Sequence, residues 1–208
     1  MRIDVFMNKG RVEAFTDAVI AIIVTIMVLE LKVPDGYTFS ALLEEWPDFI
    51  AYAVSFSYIM VAWYNHHYMF GLTHTVTRKM FWANNLWIFM TSLYPVSTAW
   101  LGEDLDHWQP AMFYLIIYTL WAYVYTYLTH VIAQANAGTA VQGKILNMPI
   151  YKMLSSKYMA LGLLIAFGLV YIYPPAVLIL SILFLPVCMR LVSDDSDKLD
   201  QAKKDGAA

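Results

Sequence analysis

The chain has 208 residues, of which 60% are hydrophobic and 14% charged, and its mean hydropathy is +0.55. Soluble domains contain about 45–50% apolar and about 25% charged residues, so this composition predicts a protein embedded in a bilayer. The net charge of -3 excludes the basic surface of a nucleic-acid-binding protein, and the one cysteine, Cys188, excludes an intrachain disulfide and a cysteine-based zinc cluster.

Six successive stretches of the chain are predicted to cross the membrane. A spanning helix needs about 20 mainly apolar residues, and these stretches supply them. The first four are residues 12–32, 46–72, 78–101 and 110–135. The fifth and sixth lie within residues 158–189, a stretch without a charge that Pro174 and Pro175 interrupt. The prolines favour two short helices joined by a tight turn, and one long kinked helix, giving five spans, is the alternative.

The placement of basic residues favours six spans, because lysine and arginine accumulate in cytoplasmic loops. With six spans, all 13 lysines and arginines except Lys32 lie on the cytoplasmic side, whereas five spans would export those at the C-terminus. We therefore expect a multi-pass protein of the cell membrane with both termini cytoplasmic. Residues 1–192 are predicted to form a single six-helix transmembrane domain, 136–156 a cytoplasmic linker and 193–208 a polar cytoplasmic tail. The apolar N-terminal stretch is too long for a signal peptide and lacks a cleavage site, so we expect it to be retained.

Polar side chains of three predicted spans lie at nearly one depth in the inner leaflet. Asp17 lies six residues beyond Arg11, and Asn84 six residues beyond Arg78, which places both about 9 Å into the membrane. Unpaired polar groups at that depth are costly, so we expect hydrogen bonds between the helices. The expected network comprises Asp17, Thr16, one of His66 and His67, and Asn84, with Trp63 or Trp82 as an indole donor. It either holds the helices together or takes part in proton or ion handling.

Metal binding is not predicted at these polar residues. His66 and His67 are adjacent in sequence and therefore lie about 100° apart on a helix, so they do not easily share one metal ion.

The first span also has a continuous apolar face. Ala18, Ile22, Thr25 and Leu29 fall within about 60° of one another on a helix, with Ile26 at the margin, and Asp17 points more than about 90° away. Such a face packs against protein or lipid, or it forms the wall of a pore. A narrow apolar constriction admits an ion only after the ion loses much of its water.

The sequence around Asp17 resembles a known family. Arg11-Val-Glu-Ala-Phe15-Thr16-Asp17 is similar to the Arg-x-x-x-Phe-Ser-Asp signature of the transmembrane protein 175 family, the bacterial relatives of the lysosomal potassium channel. The resemblance continues through Trp63, His66-His67, Trp82-Ala83-Asn84, Pro95 and Leu101-Gly102-Glu103, and it covers about half of the chain. Thr16 departs from the signature serine; it keeps the hydroxyl but adds a methyl group and stiffens the side chain.

This resemblance implies an all-α homotetramer of six-helix subunits whose first helices line a central cation pore. By alignment of the motifs, the narrow apolar constriction falls on Ile22, with Leu29 as an outer apolar layer, Thr25 as a hydroxyl layer between them, and Ile26 beside the pore. The resemblance also implies an inter-helix polar network, whose members are Arg11, Thr16, Asp17, His66, His67, Trp82 and Asn84. The carbonyl filter sequence Thr-Val-Gly-Tyr-Gly of ordinary potassium channels does not occur in the chain.

The predicted function is a passive, potassium-favouring cation channel in the lipid bilayer. It is not an enzyme, requires no cofactor and binds no metal beyond transient potassium near Thr25. The main alternative is a proton-coupled secondary transporter that uses Asp17 and a membrane-embedded histidine, although the chain lacks the inverted repeats and broken helices typical of that class. An intramembrane enzyme and a structural scaffold are further alternatives, and the first lacks a recognisable catalytic motif.

Overall fold

The computed structural model describes residues 7–192, and this part of the chain is helical apart from loops and one isolated bridge between Met7 and Val76. The long helices are α1 (Lys9–Leu29), α3 (Trp46–Leu72), α4 (Arg78–Thr91), α5 (Tyr94–Glu103), α6 (Trp108–Ala135), α9 (Lys157–Ile172) and α10 (Ala176–Arg190). Three short helices lie in the connections: α2 (Phe39–Glu44), α7 (Ala140–Leu146) and α8 (Pro149–Leu154). Among these helices, α1 and α6 have both the length and the hydropathy of a membrane-spanning helix, and α9 and α10 are shorter apolar helices.

The third predicted span, residues 78–101, is not one helix. It is divided into α4 and α5 by a turn at Ser92 and Leu93, and Pro95 lies in the first turn of α5. Proline has no N–H to donate to the carbonyl four residues earlier, and its ring clashes there, so a continuous helix would be interrupted at this point.

The interruption expected at Pro174 and Pro175 is present. Helix α9 ends at Ile172, and α10 begins at Ala176 immediately after the two prolines. The connection 136–156, predicted to be a linker, contains the short helices α7 and α8, and Ile145 and Ile150 bury their side chains. The predicted tail 193–208 lies outside the described residues.

The long helices of the subunit run in two opposite directions, so their ends collect at two opposite ends. At one end the Asn136 side chain after α6 donates to the Thr73 hydroxyl after α3 at 3.3 Å. At the other end the Lys32 ammonium lies 3.4 Å from the Glu103 carboxylate at the end of α5. Asp48, at the beginning of α3, lines the same cavity as Lys32 and Glu103. Met7 before α1 pairs with Val76 before α4. Helices α1, α4 and α5 therefore run opposite to α3 and α6.

Aromatic side chains of α6 form much of the core. Tyr114, Tyr118, Trp121 and Tyr125 are buried. The Trp121 indole donates to the Thr91 hydroxyl of α4 at 2.9 Å. These large rings fix the position of α4 and α5, and α1 packs against both of those helices and α3.

Candidate functional site

Helix α1 has one face packed against the subunit and one face that the subunit leaves uncovered. The buried face consists of Val12, Thr16, Ile20, Ile23 and Met27. The uncovered face carries the residues predicted to line a pore: Ala18 and Thr25 are exposed, as are Ile22 (56%), Ile26 (40%) and Leu29 (78%). A large apolar surface of this kind is costly in water, and it marks a surface that contacts lipid or protein.

The hydroxyl of Thr25 is already oriented by its own helix. It donates to the backbone carbonyl of Ile22 at 2.8 Å. Because the Thr25 hydroxyl hydrogen is already donated within the helix, the hydroxyl oxygen can act only as an acceptor toward its surroundings. A ring of such oxygens is suited to a partly dehydrated cation.

A chain of buried hydrogen bonds joins α3, α4 and α1 beneath this face. His66 Nε2 lies 2.8 Å from Asn84 Oδ1, and Asn84 Nδ2 donates to Thr16 Oγ1 at 2.8 Å. Thr16 in turn donates to the Val12 carbonyl at 2.9 Å. The Thr16 hydroxyl hydrogen is already donated to Val12, so the hydroxyl oxygen accepts a hydrogen bond from the Asn84 NH2 group. The Asn84 oxygen therefore faces His66. His66 Nε2 is therefore the donor in the first bond.

The ring of His66 is held between two aromatic rings. Its centroid lies 4.3 Å from that of Phe70 and 4.9 Å from that of Trp87, and both pairs are stacked. The side chain is only 2% exposed. Packing on both faces and a hydrogen bond at Nε2 fix this imidazole in one orientation.

Asp17 has a different environment from Thr16, its neighbour in sequence. Asp17 is exposed on the single subunit, and its carboxylate accepts a hydrogen bond from the Trp63 indole of α3 at 2.8 Å. The His67 ring lies 6.1 Å from the Trp63 ring and is also exposed. The exposed Asp17 carboxylate, the half-buried Trp63 indole and the exposed His67 imidazole thus lie along one side of the interface between α1 and α3.

The remaining predicted network residues lie on the surface of the subunit. The Trp82 side chain is 61% exposed, beside Arg78, Lys79 and Tyr127. Arg11 is exposed as well, and its backbone N–H donates to the Asn8 side chain that caps α1. Of the two candidate indole donors, Trp63 bonds Asp17.

Two features at the opposite end of the subunit were not predicted from the sequence. A cavity of about 540 Å³ lies beside the end of α1, and its walls include Glu30, Lys32 and Asp48. Gly102 of α5 lies so close to Asp48 of α3 that a side chain there would collide with it. Gly102 belongs to the Leu101-Gly102-Glu103 motif, but nothing local in the sequence identifies Asp48 as its neighbour.

The described residues, 7–192, contain no group of three or more His, Cys, Asp or Glu side chains arranged to hold a metal ion.

Over the described residues these features define a helical protein with two helices long and apolar enough to cross a membrane, of which the first presents an unpacked apolar face. A sequence profile of the family described as endosomal/lysosomal potassium channel TMEM175 matches residues 11–95. A potassium channel of Chryseobacterium sp. is 37% identical over 166 residues, which cover 80% of this chain and 86% of that protein. The chain belongs to the TMEM175 family, as a bacterial member.

Two further comparisons agree with this assignment. The crystal structure of a lysosomal potassium-selective channel TMEM175 homologue from Chamaesiphon minutus matches with a TM-score of 0.71 and 30% identity, over 86% of this chain and 97% of that one. The endosomal/lysosomal proton channel TMEM175 of Bos taurus is 36% identical over 92 residues, or 38% of this chain. The matched region is 19% of the length of the bovine protein.

Proposed function

We propose that the protein is a passive, potassium-favouring cation channel formed by four copies of the chain. The observation that carries the proposal is the uncovered face of α1, in a family whose similar bacterial member is named a potassium channel. Four such faces around one axis would enclose a narrow, mainly apolar path. Flux through it would follow the electrochemical gradient, without a catalytic step or a cofactor.

The proposed membrane arrangement has six crossings, made by α1, α3, α4 with α5, α6, α9 and α10. The helix directions support it, because they bring the basic residues Arg11, Arg78, Lys79 and Lys144 toward one end of the subunit. Glu103 and Asp48 lie at the other end, together with Lys32. By the preference of basic residues for the cytoplasm, both termini are cytoplasmic. Residues 1–192 form the transmembrane domain, and 193–208 form a cytoplasmic tail.

Selectivity in this proposal arises at Ile22. An apolar ring offers an ion no replacement for its hydration shell, so an ion that dehydrates more cheaply passes more readily. Potassium is larger than sodium and holds its water less tightly. The Thr25 hydroxyls, one turn further along α1, supply oxygen ligands, and Leu29 forms an outer apolar layer. We expect the preference for potassium to be modest.

Flux measurements in liposomes test this proposal. Purified protein is reconstituted with a potassium gradient, and the flux is measured without valinomycin and then repeated with sodium. Replacement Ile22→Asn places an amide in the constriction, so potassium flux should rise and the ratio of potassium to sodium flux should fall. A barrier lower by about 1.4 kcal/mol raises flux about tenfold, and we expect a change of that order.

The matched control is Ile116→Asn, which places the same amide on an exposed surface of α6. It should fold and conduct like the unmodified protein. Equal flux from the Ile22 and Ile116 variants would remove Ile22 from the conduction path, and absence of potassium flux from tetrameric protein would contradict the channel function.

Proton permeation is a second candidate, favoured by the name of the bovine relative and by the exposure of Asp17 on α1. A pH-sensitive dye inside the same liposomes distinguishes the two ions. Discrete single-channel current steps would contradict the transporter alternative, because a transporter must reorient for each substrate.

A further inference from the structure

A second cavity, far from the uncovered face of α1, lies among α6, α9 and α10. Its volume is about 380 Å³, and its walls include Met159, Leu163, Ala166 and Phe184, with Tyr58 of α3 at one side. This volume falls within the range of about 300–1,000 Å³ that is usual for ligand sites.

Two tyrosine hydroxyls of the cavity wall form hydrogen bonds within the protein. Tyr58 donates its hydroxyl hydrogen to the Ser181 carbonyl at 2.8 Å, and the Tyr114 hydroxyl lies 2.9 Å from that of Ser55. Within residues 7–192, the buried side-chain polar atoms that lack a partner belong to Trp87, Tyr94 and Tyr125, and none of these three lines the cavity. A mainly apolar space whose buried polar side-chain atoms already have partners is a poor site for water, and it is suited to an alkyl chain.

The cavity opens at the outside of the subunit. Tyr158, Ile165 and Leu169 line it and are nevertheless 74%, 55% and 45% exposed. In the proposed membrane arrangement this surface lies at the level of the lipid tails. A phospholipid tail can therefore enter between the helices without crossing water.

Two lysines flank the end of the cavity that is proposed to be cytoplasmic. Lys152 and Lys157 are exposed, and each is adjacent in sequence to a residue of the cavity wall, Met153 and Ser156 respectively. The Lys157 ammonium lies 5.5 Å from the centre of the Tyr158 ring. Lysines at this level attract the anionic lipids of the cytoplasmic leaflet.

We infer that this cavity binds an acyl chain of an anionic phospholipid whose headgroup contacts Lys152 and Lys157 at the turn between α8 and α9. Apolar walls, an opening toward the bilayer and a positive charge at one end together match the two parts of such a lipid. The inference rests on the proposed membrane orientation, but it does not require that the protein conduct potassium.

Gly162 provides a direct test, because a side chain added there would enter the cavity without striking the backbone. It lines the cavity, and a Cβ atom at this position meets nothing within 4 Å. Gly168 on the same helix is equally unobstructed and does not line the cavity. Gly162→Phe therefore fills the cavity, and Gly168→Phe is the matched control with the same change of residue type.

The experiment is native mass spectrometry of the purified oligomer after exchange into nanodiscs of phosphatidylglycerol or phosphatidylcholine. We expect the unmodified protein and Gly168→Phe to retain phosphatidylglycerol. Gly162→Phe takes up the space that the acyl chain would occupy, so it should reduce retention about tenfold, which corresponds to about 1.4 kcal/mol of binding free energy. Lys157→Gln leaves the cavity open and should reduce the preference for phosphatidylglycerol over phosphatidylcholine about fivefold.

Equal lipid retention by the Gly162 and Gly168 variants would overturn the inference, as would an unchanged headgroup preference in Lys157→Gln. A change of oligomeric state specific to Gly162→Phe would show that a second copy of the chain occupies the cavity, which also overturns it. Lipid retention is measured separately from ion flux. Failure to retain lipid therefore does not contradict the channel proposal, and absence of flux does not contradict lipid binding.

Discussion

Asn84 connects three helices through one side chain. Its amide nitrogen donates to Thr16 of α1, and its oxygen faces the His66 imidazole of α3, with both heavy-atom distances at 2.8 Å. An asparagine amide carries a donor and an acceptor at the same end, so it can serve these two different partners at once. No aliphatic residue of similar size could do so.

Replacement Asn84→Ala should therefore destabilise the protein more than loss of a single hydrogen bond. Two buried polar groups lose their partner, so we expect a loss of about 1–3 kcal/mol, compared with about 0.6 kcal/mol for an average interhelical hydrogen bond in a membrane. Thermal unfolding of the detergent-solubilised protein measures the difference. Asn85→Ala is the control, because the Asn85 side chain donates to the Phe81 carbonyl of its own helix. Equal stability of the two variants would contradict a role for Asn84 in joining the helices.

Asp17 is the second residue for which the local contacts predict a clear effect. Replacement Asp17→Ala removes the acceptor of the Trp63 indole and should mainly impair folding or assembly, which size-exclusion chromatography reports as a smaller oligomeric fraction. Asp17→Asn keeps an acceptor oxygen and should assemble better than the alanine variant. Normal assembly of Asp17→Ala with a change in proton sensitivity alone would instead indicate direct proton handling.

At the scale of the helices, close packing sets the shape of the subunit. Helix α5 approaches the beginning of α3 at Gly102, where an added Cβ would overlap the Asp48 carboxylate and lie 2.8 Å from the Asp48 Cα atom. The absence of a side chain is thus what allows this approach. Helix α5 also packs against α1, so the spacing of α3 and α5 affects the position of the proposed pore wall.

Gly102→Ala should separate these helices and destabilise the fold. Overpacking of this kind typically costs about 1–3 kcal/mol, which exceeds the gain of at most about 1 kcal/mol from replacing glycine by alanine within a helix. Gly168→Ala meets no neighbour and should be neutral or slightly stabilising. The melting temperatures of the two variants, measured side by side, provide the test, and a Gly102 variant as stable as its control would refute the steric argument.

In the proposed topology, one end of the molecule faces the cytoplasm and the opposite end faces the outside of the cell. Lys144 and Asp106 are both exposed and lie in connections at opposite ends of the subunit. In a Cys188→Ala background, Asp106→Cys should react with a membrane-impermeant thiol reagent on intact cells. Lys144→Cys should react only after the cells are permeabilised. The reverse pattern, or labelling of both positions on intact cells, would contradict cytoplasmic termini.

The proposed stoichiometry is tested separately. Native mass spectrometry should give a protein mass four times the 23.8 kDa of one chain. In the proposed tetramer, the uncovered apolar face of α1 favours assembly, because association shields part of that surface from the water of the pore. A stable monomer or dimer that still conducts potassium would contradict a pore made by four copies of α1.

Features that depend on local periodicity can be predicted from the amino-acid sequence alone. A period of 3.6 residues places Ile22, Thr25 and Leu29 on one face of α1, and that face is uncovered in the subunit. The interruption at Pro174 and Pro175 was predictable in the same way, because proline acts on its own backbone. The resemblance to the family likewise depended on motifs that can be read along the chain.

Which side chains contact one another depends on how the helices pack, and it is seen only in the three-dimensional structure. His66 is buried beside Asn84 whereas His67 is exposed, and Trp63 rather than Trp82 bonds Asp17. Spacing along the chain places residues at a similar depth but does not fix how far each helix is rotated about its axis. Two adjacent residues lie about 100° apart, so a modest rotation determines which of them faces a partner. Depth and helix face therefore follow from the sequence, and pairing between helices follows from packing.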